Sequence, residues 1–532
     1  MNGKAVAYAI GKLMQLMGVI LIVPLGIAVY DLDSWSLSTI IDNPETVGFI
    51  LAIAFCLLAG TVIALMYRAN RNDQGIREGY AIVALGWIIL ALVGSIPFTF
   101  YFISNAEHLT IHVLMTCITD GYFEIMSGFS TTGSTILTNI EAVPDSLLFW
   151  RSLTHWLGGM GIITLALAIF PAMGVSGYQM FRGEIPGPTA DRLRPRLAQT
   201  AAILWGVYAL LSGAETLLLW IGGMPLFDSL CHTFGTMATG GFSTKNASIA
   251  SYHSAYFEWV IIVFMFLAGM NFLLHFNVLR GKWRQAIINR EFLFYTAVIV
   301  FTTLFLSGLL YGGDLKPAED SYKHFRYEYK TLDDFKGFIA AEQQKYTDLH
   351  DCVRTTLFQV VSITTTTGYG TADFDLWPDI ARFMLLLMMF FGGCAGSTGG
   401  GMKQIRILVL IKTGWRELRK LTRPNLIAPL RIGQDSIDEP KIANIASFFI
   451  LFMLLFAVSS LLMTLFVPDL ITAISATVAC INNIGPGLNG VGAVQHYGWI
   501  PIPGKWILIA CMILGRLEIF TIMIVFRPSF WK

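Results

Sequence analysis

Charge is scarce in this chain. Acidic and basic residues make up 13% of its 532 positions, and 36 basic against 35 acidic side chains leave a formal net charge of +1. That net value says nothing about partners, because the placement of charge matters more; no nucleic-acid partner is expected. Cysteine is sparse too. Cys56, Cys117, Cys231, Cys352, Cys394, Cys480 and Cys511 are scattered mostly through apolar segments without CxxC or metal-ligand spacing. They read as small core residues rather than disulfides or ligands. No serine–histidine–acid or paired-carboxylate arrangement stands out, so catalysis is not indicated. His108 and His112 stand four apart but lack the glutamate of an HExxH zinc motif. The apolar N-terminus, MNGKAVAYAIGKLMQLMGVILIVPLGIAVY, is closed by no clear small-residue cleavage site, which favours a retained helix over a signal peptide.

What is present is apolar surface. The chain is 55% hydrophobic with 50 glycines and 38 phenylalanines, and runs of helix-spanning length recur from end to end. These predict an all-α polytopic membrane protein with spans near 8–30, 47–67, 79–104, 147–172, 198–221, 256–279, 291–312, 441–467 and 505–526, and a broken span over 379–421. Basic clusters follow alternate spans: Arg68, Arg71 and Arg77; Arg182, Arg192, Arg194 and Arg196; Arg280, Lys282, Arg284 and Arg290; and a dense set from Lys403 to Arg431. The intervening short loops are acidic or neutral, so the positive-inside rule puts both termini in the cytoplasm.

Between certain spans lie apolar stretches too short to cross: 113–129, 225–237, 352–364 and 470–482. Each is followed by a glycine-containing strip: STTGST (130–135), ATGGFST (238–244), TTTGYGT (365–371) and NNIGPGL (482–488). The unit of helix, short helix, strip and helix recurs four times at intervals of about 110 to 130 residues. Superposed on a central glycine, the strips read Thr131-Thr132-Gly133, Ala238-Thr239-Gly240, Thr366-Thr367-Gly368 and Asn483-Ile484-Gly485. Non-helical backbone at membrane depth is tolerated where it lines a water-filled cavity. Four such strips about one axis would present rings of carbonyls able to replace a monovalent cation's hydration shell, as the similar TVGYG loop does in potassium channels. Close helix packing, the usual role of glycine and threonine in membranes, does not account for four copies in this context.

Below the third strip, FGGCAGSTGGGMK (391–403) interrupts a span with Gly392, Gly393, Gly396, Gly399, Gly400 and Gly401. It fails the phosphate-loop pattern GxxxxGK[ST], since Met402 intervenes and Gln404 follows the lysine. A break lying across the pore as a gate fits better. In the last span, LGRLEIF sets Arg516 and Glu518 in apolar surroundings, where an arginine should face a cavity or a partner. Two positions apart on a helix, they are poorly placed to pair with each other. Glu124, His155, Asp228 and His232, in or near the short helices, read as support for the strips rather than a proton relay.

Seven segments, MSGFSTTGST (126–135), WRSLTHWLGGMGI (150–162), TMATGGFST (236–244), FLAGMNFLLHF (266–276), TTTTGYGT (364–371), GGCAGSTGGGMK (392–403) and NNIGPG (482–487), resemble the TrkH/TrkG/KtrB superfamily of potassium transporters, most closely its TrkH branch. The resemblance implies four helix–pore-loop–helix repeats around one path, preceded by two extra helices that KtrB-type chains lack. The corresponding division is 1–70 (extension), 71–197, 198–290, 291–432 and 433–532 (repeats). It further implies K+ uptake, a selectivity filter at the twelve superposed positions, a homodimer with a pore in each subunit, location in the bacterial inner membrane, and a cytosolic TrkA-like nucleotide-binding subunit, for which Lys403–Arg431 offers a docking surface. It makes 392–401 a gate loop and Arg516 a pore-facing residue, with no organic cofactor. In related plant transporters a serine for the first filter glycine goes with sodium preference; Gly133 here favours potassium. An ion-coupled secondary symporter is the alternative, and inverted repeats would be its mark. Residues 313–351 form a charged insert longer than the family leads one to expect, read as a small solvated subdomain.

Overall fold

In the computed structural model, which describes residues 1–32, 36–70, 75–161, 197–313, 315, 332–423, 428–433 and 435–531, six helices are long and apolar enough to cross a bilayer. They are Gly3–Tyr30, Pro44–Met66, Arg77–Ser104, Ala201–Ile221, Arg290–Leu310 and Glu439–Met463. At about 1.5 Å per residue each exceeds the hydrocarbon thickness of roughly 30 Å. Local chemistry sets their starts. Asn43 accepts from the amides of Glu45 (2.9 Å) and Thr46 (3.3 Å) ahead of Pro44, and Asn289 accepts from that of Phe292 (2.9 Å).

The four short helices are Ile111–Phe129, Leu226–Met237, Leu349–Thr364 and Leu470–Ile481. Thr110, Asp348 and Asp469 cap three of them through their side chains, and Pro225 precedes the other. The first is longer than predicted, but its opening turn is exposed and its second half, from Gly121 on, is wholly buried. Two large apolar clusters enclose the strips, one reaching from the N-terminal helices to the last repeat and the other built mainly from repeats two and three.

The helices after the strips depart from prediction. Of the predicted span 147–172 the described residues form Asp145–Gly159, with 162–172 lying outside them; instead of continuous spans over 256–279 and 505–526, the chain forms Ala255–Ala268 and Phe272–Leu279 bent by 103°, then Ile502–Arg516 and Ile519–Met523. Asn271 starts a new helix by accepting from the amide of Leu273 (2.8 Å), and Glu518 at φ 56° ends the last one. With the predicted break between Asp379–Met388 and Gln404–Thr422, all four second helices stop at the same stage of the repeat. A short antiparallel hairpin, Leu430–Ile432 with Asp435–Ile437, supplies the strands named among the described residues. Arg71, Arg182, Arg192, Arg194 and Arg196 lie outside those residues, as does much of the 313–351 insert, from which Leu332–Gln344 is a helix.

Candidate functional site: a ring of four strips

Each short helix ends in the same way. The residue after its C-cap is left-handed: Thr131 (φ 52°), Thr239 (55°), Thr366 (63°) and Asn483 (56°). Its N–H donates three residues back, Thr131 to Gly128 (3.0 Å), Thr239 to Thr236 (2.9 Å), Thr366 to Ile363 (3.1 Å) and Asn483 to Cys480 (3.3 Å). The next N–H donates five back, Thr132 to Ser127, Gly240 to Gly235 and Thr367 to Ser362 at 2.8 Å, and Ile484 to Ala479 at 2.9 Å. This is the Schellman closure, whose left-handed position normally takes glycine. Three threonines there are β-branched residues in a region they rarely enter, a strain of the kind that collects at functional sites.

The repeated geometry corrects the superposition of the second strip by one residue. Ala238 is right-handed (φ −78°) and matches Ser130, Thr365 and Asn482, the C-caps of the other repeats. Thr239-Gly240-Gly241 is therefore the counterpart of Thr131-Thr132-Gly133. Two adjacent glycines in ATGGF left the choice open to a sequence comparison; Gly241 at φ 77°, beside Gly133 (81°), Gly368 (81°) and Gly485 (101°), resolves it.

The four strips close on one another. A Cβ on Gly133 would overlap the carbonyl of Gly240, one on Gly241 that of Thr367, and one on Gly368 that of Ile484; on Gly485 it would lie 2.8 Å from the carbonyl of Thr132. Each glycine thus abuts the middle carbonyl of the next strip, and the fourth returns to the first. Above them a cavity of about 160 Å³ is lined by all four glycines together with Ser134, Thr135 and Phe242. The C-terminal ends of four short helices converge below it, adding partial negative charge that favours a cation.

Polar groups behind the ring hold it. Seven residues before each left-handed position, three repeats carry a polar side chain that reaches the outgoing strip. Glu124 accepts from Thr135 Oγ1 (2.9 Å) and the Ile136 amide (3.0 Å); His232 bonds Ser243 Oγ (2.9 Å); Gln359, with its amide turned, accepts from the amides of Thr371 (2.8 Å) and Ala372 (3.0 Å). Glu124 also faces Arg151 (3.3 Å), both side chains being almost wholly buried, and the Arg151 guanidinium lies 3.9 Å from the centre of the Phe242 ring. Asp228 accepts from Thr244 (2.7 Å), and His155 stacks on Phe242 with ring centres 4.0 Å apart. The tyrosine of GYG belongs to the same scaffold: Tyr369 Oη donates to the carbonyl of His232 (2.9 Å). Asn483 Nδ2 ties the fourth strip to Thr132 Oγ1 (3.0 Å) and to the carbonyl of Met512 (3.0 Å).

Directly beneath lies the glycine loop. The Gly400 amide donates to Thr366 Oγ1 (2.7 Å), Thr398 Oγ1 to the carbonyl of Met237 (2.9 Å), and the Cys394 amide to that of Gly269 (2.9 Å). The loop is packed too closely for side chains: a Cβ on Gly392 would overlap the carbonyl of Gly400, and one on Gly400 would stand 2.5 Å from that of Asn482. Arg516 crosses the same level. Its guanidinium donates to the carbonyls of Thr398 (2.8 Å), Gly159 (2.9 Å) and Gly158, joining the last span to the loop and to the end of helix Asp145–Gly159. Glu518 bonds Arg406 at 2.7 Å, a partner 112 positions away that no local pattern in the sequence announces.

The profile of the TrkH family, described as a cation transport protein, matches residues 46–311 and 338–532. The gap falls within the charged insert. The chain is 39% identical to the Trk system potassium uptake protein TrkH of Salmonella typhimurium, over 88% of this chain and 89% of that protein. It is 34% identical to the protein of the same name from Vibrio parahaemolyticus, over the whole of both. The crystal structure of the potassium transporter TrkH from Vibrio parahaemolyticus superposes with a TM-score of 0.80, 32% identity and full coverage of both chains.

Proposed function

The chain belongs to the TrkH family of cation transport proteins, and from that premise we propose that it takes up potassium through the ring formed by Thr131–Gly133, Thr239–Gly241, Thr366–Gly368 and Asn483–Gly485. The cyclic approach of each strip glycine to the next strip's carbonyl carries the reading. A closed ring of backbone oxygens can take over the work of a cation's first water shell without moving charge in the protein. The loop 389–403 is the gate, and Arg516 helps to hold it shut, since the loop lies under the strips with its Gly400 amide bonded to Thr366 and Arg516 is bonded in turn to the loop's Thr398.

The protein is a multi-pass membrane protein. We place it in the bacterial inner membrane with both termini in the cytoplasm, as a homodimer regulated by a cytosolic TrkA-like nucleotide-binding subunit. The basic residues Lys412, Arg419 and Lys420 on helix Gln404–Thr422, which leads directly out of the gate loop, support that docking face. The symporter reading is not favoured: the relatives are named potassium uptake proteins, and all four strips enter one cavity from the same side rather than from opposite faces. Expression in a bacterial strain stripped of its own potassium uptake tests the proposal. Growth restored at limiting potassium supports it, while a well-inserted protein that restores none opposes it.

A further inference from the structure

We propose that Glu291 is the latch of the gate: one carboxylate that holds the glycine loop closed and ties its release to the helix leading towards the docking face. The inference rests on the gate reading above.

Glu291 stands in the first turn of the span Arg290–Leu310, at the end that meets the loop, and its side chain is buried. A single oxygen, Oε1, accepts two backbone amides, that of Ala395 inside the loop (2.7 Å) and that of Ile405 in the first turn of helix Gln404–Thr422 (3.1 Å). That helix has Lys403 at its N-cap, which supplies no side-chain acceptor, so Glu291 satisfies one of its open amides from another segment. The carboxylate also sits at the positive ends of two helices at once, its own and Gln404–Thr422. Of the described bonds to the loop, those to Gly269, Met237, Thr366 and Arg516 fasten it to the pore walls. Gln404, the first residue of the outgoing helix, bonds the loop directly at the carbonyls of Gly392 (2.8 Å) and Gly393 (3.2 Å), and Glu291 adds a tie in which one acceptor atom serves both the loop and that helix. A displacement of that helix removes the Ile405 amide from the oxygen and loosens the acceptor that holds Ala395. Opening by a partner pulling on the helix then requires no contact with the loop itself.

The test is rubidium-86 uptake into vesicles holding the full-length protein without any partner. Glu291→Ala removes the acceptor and is expected to raise basal uptake roughly tenfold, since charge-assisted bonds are among the stronger ones lost. Glu291→Gln keeps an acceptor oxygen but loses the charge, and its uptake should fall between that of wild type and that of Glu291→Ala. Rubidium-over-sodium preference should be unchanged in both, a readout that a general loosening of the ring would move. A shortened 392–401 loop serves as the reference. If it raises uptake while a monodisperse Glu291→Ala does not, the latch is wrong and the gate stands; if neither raises it, the gate reading falls with it. Should Glu291→Ala fail to insert, Glu291→Asp, whose shorter side chain cannot reach both amides, replaces it, and wild-type uptake there overturns the latch.

Discussion

The glycines of the ring answer to two demands at once, which is why no other residue fits. Gly133, Gly241, Gly368 and Gly485 are left-handed, and each would drive a Cβ into a neighbouring strip's carbonyl. An L-residue in that conformation costs roughly 1–2 kcal/mol before any overlap is counted. Gly241→Ala and Gly368→Ala should therefore erode the preference for rubidium over sodium while leaving insertion intact, as competed tracer uptake would reveal; unchanged preference in both would remove these positions from the filter. The buried pair behind the first strip makes a separate prediction. Arg151→Ala leaves Glu124 charged and unpaired in the interior, a loss on the order of 3–5 kcal/mol, and should lower the melting temperature of the detergent-solubilised protein markedly. At this scale the sequence was informative about residue types and silent about register. TTG, TTG and NIG align themselves, but ATGG offers two glycines, and the left-handed turn at Thr239 chooses the second as the partner of Gly133. Arg516 was legible as a charge that needed a partner, whereas its partners are backbone carbonyls of two other repeats, which carry no side-chain signal.

Among the elements, the short helices are the most legible, because a capped apolar run shorter than a bilayer followed by glycine has few other uses. The breaks in the second helices were harder to read. Mostly apolar sequence runs through LAGMNF and LGRLEIF, and the helices end where Gly269 lies close to Tyr295 and Thr365, Gly515 lies against the carbonyl of Ile481, and Glu518 pairs with Arg406. Hydrophobicity reports that a segment is buried in the membrane; it does not report where a tertiary contact replaces a helical hydrogen bond. The loop 389–403 was conspicuous through its glycines, and the structure adds that it is fastened at many points rather than slack. Arg516→Ala deletes the bond to Thr398 and both bonds to helix Asp145–Gly159, so basal flux should rise several-fold while selectivity holds. Basal flux at or below the wild-type level, with normal insertion, would speak against the gate.

In the molecule as a whole, one theme repeated four times builds something no single repeat contains. A lone strip exposes unsatisfied carbonyls; in the four-strip ring each glycine packs against a carbonyl of the next strip. The glycine that spaces each strip lies against the backbone of its neighbour, so the ring is specified by contacts between repeats. The spacing of the repeats was visible in the sequence, but the order in which they close was not, because it depends on approaches between residues more than 100 positions apart. The most direct test is rubidium-86 uptake by the purified wild-type protein in vesicles bearing no proton or sodium gradient, competed by potassium and by sodium. Uptake should be abolished by potassium and barely touched by sodium. Equal competition by the two ions would mean that the ring of four strips is not what selects the ion.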